Sequence, residues 1–182
     1  MRRLAAFAIG FSLVAAAVTT VALPDTSPNF HTGPTCTISG TGTRSATTTC
    51  TGTLYGVGNL QLQAQTIVNG FAVYTCVNKG GNTAPGQNQV TQGPSQSQPS
   101  AVSAEDKNGA ATFTTNANTL TAAATIPGNQ AGCPNGNWTG VTPKITITSV
   151  ELKIFQGGTT FYDCSKTDSS GLPASFSLPK SC

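Results

Sequence analysis

Residues 144–162 read KITITSVELKIFQGGTTFY. Ile145 and Ile147 alternate with threonines, and Val150, Leu152 and Ile154 then alternate with Glu151 and Lys153. Such alternation predicts half-buried β-strand with one apolar face. The apolar positions change from odd to even across Ser149. Strand side chains repeat every two residues, so the slip sends the second set to the opposite face unless the backbone absorbs it. Thr148-Ser149 is therefore expected to be a β-bulge, or a bend where the strand leaves one sheet for another. Gln156-Gly157-Gly158 follows as a turn, and 160–162 begins the return strand.

The rest of the chain reads as further short strands. Residues 36–43 (CTISGTGT) form one, at a sheet edge given its glycines. Residues 47–55 (TTTCTGTLY) form the next, ending in the turn Gly56-Val57-Gly58-Asn59. Leu60, Leu62, Ala64, Thr66 and Val68 share one parity, with Gln61, Gln63 and Gln65 on the other. Asn69-Gly70 is the strongest short hairpin signal, because both positions of such a turn need positive φ. That turn would pair Val68 with Phe71 and Thr66 with Val73, and would face Leu60, Leu62, Val68, Phe71, Val73 and Val77 inward. Tyr74 and Cys76 then fall on the glutamine side, so either Cys76 pins something over that face or the register is broken. Residues 78–101 show no apolar period and are rich in Gly, Pro, Gln and Ser, so they read as one long loop with a short edge strand at 89–91. Strands are expected at 102–106, at 110–115 with Phe113 inward, at 120–126 and at 174–178. Residues 129–140 form a cysteine-bearing loop with the only Trp. With no credible helix, the expectation is an all-β, immunoglobulin-like Greek-key sandwich of about eight to ten strands, disulfide-stabilised.

Composition places this domain outside the cytoplasm. Arg2 and Arg3 precede an apolar run too short for a membrane span, and small residues follow it, the pattern of a signal peptide over 1–22. Residues 23–34 are expected to be a flexible tail and 35–182 a single domain. No later segment is a candidate membrane span. Loss of Arg2 and Arg3 takes the net charge from +3 to near +1, without the basic patch that nucleic acid or an anionic membrane would require. Charged residues are only 8 % of the chain, so Thr, Ser, Asn and Gln must supply solubility. Cys36, Cys50, Cys76, Cys133, Cys164 and Cys182 all lie beyond the leader, and an even number in an exported chain reads as three disulfides of open pairing.

Three stretches, CTGTLYGVGN (50–59), YTCVNKGGNTAPGQN (74–88) and GCPNGNWTGVTPKITITSVELKIFQGG (132–158), resemble a family of small secreted actinobacterial proteins without an assigned activity. The likeness covers roughly residues 35–160 and implies export and a β-fold, with no catalytic residue to carry over. The chain departs from that family after the Gln-Gly-Gly turn, where an extension with two more cysteines implies a locally stapled end, Cys164 to Cys182.

Catalytic constellations are absent from the pattern. A hydrolytic triad needs a base, and His31 is a lone histidine in the expected tail. Glu105 and Asp106 are adjacent, so on a strand they face opposite ways and cannot flank one bond. Asp163 and Asp168 read as turn residues. The cysteines lack zinc spacing, and no phosphate-cradling glycine loop stands between a strand and a helix, so neither metal nor cofactor is expected. The expected function is therefore a secreted, non-catalytic structural or interaction module. Its partner would be an extracellular protein or a second copy, met through edge strands or the 78–101 loop. The alternative is a small-ligand or carbohydrate-binding domain. Its candidate binding residues are Asn78, Asn82, Gln87, Asn88 and Trp138, the last able to stack on a sugar.

Overall fold

The computed structural model describes residues 28–182. The expected leader and its cleavage site lie outside the described residues. The chain enters with β1 (Asn29–Phe30), β2 (Thr35–Ser39) and β3 (Ser45–Tyr55). It crosses to a second sheet for β4 (Gln63–Val77), β5 (Thr83–Pro85), β6 (Val90–Gln96) and β7 (Ser100–Ala101). It returns for β8 (Ala110–Thr114) and β9 (Asn118–Thr121), then crosses again for β10 (Thr125–Pro127) and the single-turn α1 (Gly128–Ala131). The second sheet is completed by β11 (Thr139–Gln156) and β12 (Thr159–Thr167), and β13 (Ser175–Ser177) ends in the first.

All pairings are antiparallel, and the expected all-β sandwich is what forms. The strand segments occupy four positions in each sheet, because several short segments share one side of a long strand. In the first sheet Thr51 of β3 pairs with Thr35 on one side and Thr114 on the other, so β1 and β2 flank β3 opposite β8 and β9. In the second, β11 lies between β4 and the pair β10 and β12, while β5, β6 and β7 line the far side of β4.

The parity slip is a bulge. Ile147 pairs with Gly70 and Ser149 with Asn69, leaving Thr148 as the extra residue, and β11 stays in one sheet. Ile145, Ile147, Val150, Leu152 and Ile154 are consequently all fully buried. They face an inward row from the first sheet that includes Cys36, Ile38, Cys50, Leu54 and Phe113. Phe30 inserts between the sheets, edge-on to Phe113 (6.1 Å) and to Tyr162 (4.8 Å). Gly52 makes the space, since a β-carbon there would meet the Phe113 ring at 2.7 Å. The outward face of the first sheet carries cross-strand Thr and Ser pairs, such as Thr47 Oγ1 with Thr119 Oγ1 and Ser45 Oγ with Thr121 Oγ1, both 2.9 Å. Those neutral hydroxyls hydrate a surface with few charges.

Several expectations are corrected. Asn69-Gly70 is not a turn. β4 runs straight through it, and one parity (Ala64, Thr66, Val68, Ala72, Tyr74, Cys76) stays buried from end to end. Tyr74 and Cys76 therefore face inward, while Phe71, Val73 and Val77 are half-buried on the outer face. Gly70 is required because the bulge opposite pushes the Thr146 carbonyl into the place a β-carbon would take. Gly70→Ala is expected to cost about 3 kcal/mol by overpacking. Thermal unfolding should read this as a lower Tm, whereas Gly158→Ala, with open space around it, should stay within about 0.5 kcal/mol.

The 78–101 stretch supplies β5, β6 and β7. An edge position tolerates its prolines, because one side of the strand needs no N–H partner. β2 is interior, covered by β13. Residues 102–106 form no strand; there the Ser103 hydroxyl takes the Thr112 N–H (2.8 Å) in place of a backbone partner. The 120–126 stretch divides between β9 and β10, in opposite sheets. Within the expected tail, 28–34 belongs to the body, with Phe30 in the core and Pro34 buried.

Asx turns fix two loops. Asp106 accepts the N–H groups of Asn108 (2.8 Å) and Ala110 (3.0 Å), and Asp168 accepts the Ser170 hydroxyl (2.6 Å) and N–H (2.9 Å). The Ala110 N–H chiefly depresses the Asp106 pKa, and the Ser170 hydroxyl that of Asp168. A depressed folded value adds stability that is complete above the unfolded pKa, ordinarily 3.8, and is lost as pH falls through the folded one. Asp106→Asn with Asp168→Asn keeps the turns, so Tm should change little at neutral pH and fall less steeply on acidification than in the parent.

Candidate functional site

Three disulfides form. Cys36–Cys50 joins directly opposed residues of β2 and β3, Cys164–Cys182 staples residue 182 to β12 as expected of the extension after the Gln-Gly-Gly turn, and Cys76–Cys133 joins β4 to the loop after α1. The last one builds a site. Cys76 is the final inward residue of β4 and fully buried, and its partner carries the 129–140 loop against the strand end, with Cα atoms 5.6 Å apart.

Two residues beyond each of these cysteines stands an asparagine that closes a turn. Asn78 Oδ1 accepts the N–H groups of Gly80 and Asn82, both at 2.9 Å. Asn135 Oδ1 accepts the Asn137 N–H at 3.0 Å. Backbone bonds from Asn78 N–H to the Asn82 carbonyl (3.1 Å) and from Trp138 N–H to the Asn135 carbonyl (3.3 Å) complete the two turns. Between them lies an open cleft of about 530 Å³, lined by Asn78, Lys79, Gly80, Asn135, Asn137 and Trp138. Its size is that of a small-ligand site. Trp138 is half-buried, packing against the core while contributing to the cleft wall.

Of the sequence-predicted binding residues, Asn78 and Trp138 meet in this cleft. Asn82 closes the Asn78 turn. Gln87 and Asn88 serve elsewhere, clamping the β5–β6 connection onto α1. Asn88 Nδ2 donates to the Gln130 carbonyl (3.0 Å), and the Asn88 and Gln87 N–H groups donate to the carbonyls of Ala131 (3.2 Å) and Gly132 (3.3 Å). Lys79, Asn135 and Asn137 were not among the binding residues expected from the sequence. The signal for Asn135 was the shared spacing Cys76-Val77-Asn78 and Cys133-Pro134-Asn135, which becomes legible only when the two cysteines are known to be bonded.

Among the described residues, Lys79 is the one ionisable side chain lining the cleft. Carboxylates are committed elsewhere among the described residues. Glu105 accepts the Val57 N–H, Asp106 and Asp168 close their turns, and Glu151 and Asp163 flank Lys153 at 2.9 and 3.4 Å. The hydrogen bond to Glu151 leads the causes that raise the Lys153 pKa. His31 is exposed and stacks on Tyr55, centroids 3.8 Å apart. The cleft can thus hold a ligand by hydrogen bonds, one positive charge and an aromatic surface. No protein-family model matches the chain, and no curated protein or solved structure matches it significantly.

Proposed function

We propose that the chain is an exported, non-catalytic binding module acting at the cell surface or in the extracellular medium. It would use loops at one end of the sandwich, as immunoglobulin-like domains do. The observation that carries this reading is the pair of Asx turns held side by side by Cys76–Cys133 around Trp138. Rigid scaffolds that fix exposed loops are where binding residues concentrate. Three disulfides fit an oxidising compartment. Among the described residues no helix is long and apolar enough to cross a membrane.

A second reading, association with another chain or a second copy, is favoured by β12. Eight of its nine residues pair with β11, and among the described residues no strand pairs with its other edge, which is open to strand addition. Lys166, whose Nζ lies 5.4 Å from the Phe176 ring, is a charge of the kind that blunts such an edge. The cleft is therefore the primary surface.

Fractionation of producing cells with carbodiimide coupling, which joins a lysine amine to a partner's carboxylate, tests the proposal, because Lys79 is exposed beside Trp138. Recovery from the surface fraction or medium with an adduct at Lys79 is the expected result. An intracellular protein that retains residues 1–22 would overturn it.

A further inference from the structure

We propose that the cleft between the two Asx turns binds an acidic saccharide, gripping ring oxygens and a carboxylate while Trp138 takes the apolar face of a sugar ring. This inference rests on the binding-module reading. It follows from which polar atoms remain unspent.

An amide oxygen has two lone pairs, and those of Asn78 are both taken by the Gly80 and Asn82 N–H groups. The free end of Asn78 is its NH₂. Asn135 spends one lone pair on the Asn137 N–H and likewise keeps its NH₂. Lys79 offers three N–H donors and no acceptor, and the Trp138 indole offers one donor. Against these the side chains of the lining supply as acceptors the Asn137 amide oxygen and one lone pair on Asn135, and no carboxylate. A ligand that fits must be rich in acceptors.

A peptide brings an N–H with every carbonyl, and those donors would need acceptors in a cleft whose side chains offer few, whereas the ring and carboxylate oxygens of an acidic saccharide accept without donating. A saccharide carries hydroxyl and ring oxygens around its rim and a C–H face that matches the flat, apolar body of an indole. The charge of Lys79, unopposed within the cleft, adds a preference for a carboxylate through a charge-assisted hydrogen bond. Asn78 and Asn135 are fixed by their turns, and the turns by the disulfide beneath them. Little ordering is then left to oppose binding.

The test is calorimetric titration of the intact, leader-free protein with a short oligogalacturonate and with the same oligosaccharide carboxyl-reduced, following Trp fluorescence alongside. The acidic form should bind more tightly, lose affinity with added salt and perturb the fluorescence. Asn78→Asp and Asn135→Asp keep the turn acceptor, since Asp closes Asx turns equally well, but replace the free NH₂ with carboxylate oxygen. Each should weaken the acidic ligand at least about 10-fold by like-charge contact, with Tm unchanged. Lys79→Gln should lower the preference for acidic over reduced ligand by about 3-fold, the worth of an exposed charge pair.

Equal binding of acidic and reduced forms would overturn acid recognition and leave the module reading standing. Binding of neither saccharide, with a Lys79 adduct still formed on a surface protein, would overturn the saccharide and keep the module. Neither saccharide nor adduct would overturn both.

Discussion

Replacing Cys76 and Cys133 together by alanine is expected to lower stability by about 4 kcal/mol, from the chain-entropy cost of a loop of this length. The two cysteines are 57 residues apart, against 14 for Cys36–Cys50 and 18 for Cys164–Cys182. The same relation gives about 3 kcal/mol for each of those. For a domain of this size the loss should appear in calorimetry as a fall in Tm of about 10 °C or more. The functional consequence separates this bridge from the others. Cys36 and Cys50 are already opposed within a ladder, so their removal leaves both Asx turns intact. Without Cys76–Cys133 the 129–140 stretch keeps the hydrogen bonds from Gln87 and Asn88, the buried Ala131, the packing of Trp138 and the β11 ladder that begins at Thr139, but loses the covalent tie two residues before the Asn135 turn. Ligand binding at the cleft should therefore vanish in the Cys76/Cys133 variant and survive in the Cys36/Cys50 variant. A Tm within about 2 °C of the parent would be far below the expected shift and would show that the loop is held without the bridge.

How much of this was legible beforehand depended on whether a signal was local. The slip of parity across Ser149 was local and left two resolutions, a bulge or a bend between sheets, and the continuous pairing of both halves with β4 selects the bulge. The two-residue Gly157-Gly158 loop, where Gln156 pairs with Thr159, was equally plain. Asn69-Gly70 was misread because the same dipeptide serves two purposes. Gly supplies positive φ in a tight turn, but here it supplies absence of a side chain. The evidence for that purpose sits on another strand, in the Thr146 carbonyl beside Gly70. Misplacing the turn inverted the second half of β4 and put Cys76 on the wrong face, which hid the cleft built on its disulfide. The edge strands β5, β6 and β7 were illegible for a related reason. Their partner is one long strand, and segments that need only one paired side carry little apolar period of their own. Asn78 and Trp138 were found by residue type. Asn135 could be weighed only with the disulfide known.

The bulge on β11 and the glycine on β4 are two halves of one junction, and deleting Thr148 tests it with the largest effect expected anywhere in the chain. Without the extra residue, strict alternation would resume. If Ile145 and Ile147 keep their places, then Val150, Leu152 and Ile154, all fully buried, turn outward, and Glu151 and Lys153 turn into the core. Exposing three such side chains costs about 6 kcal/mol at about 2 kcal/mol each, before any charge for burying an ion pair. If the second half holds instead, Ile145 and Ile147 are exposed and the pairing with Ala72 and Gly70 shifts. Either choice consumes most of the roughly 5–15 kcal/mol that holds a domain together, so the deletion variant should show no cooperative unfolding transition and should be recovered as aggregate. Thr148→Ala keeps the residue count. It removes only a long hydroxyl contact to the Asn69 carbonyl, 3.5 Å, and should cost less than about 1 kcal/mol. A deletion variant that melted like the parent would mean that β11 does not need its extra residue. The register that aligns both halves of the strand with the core would then be wrong.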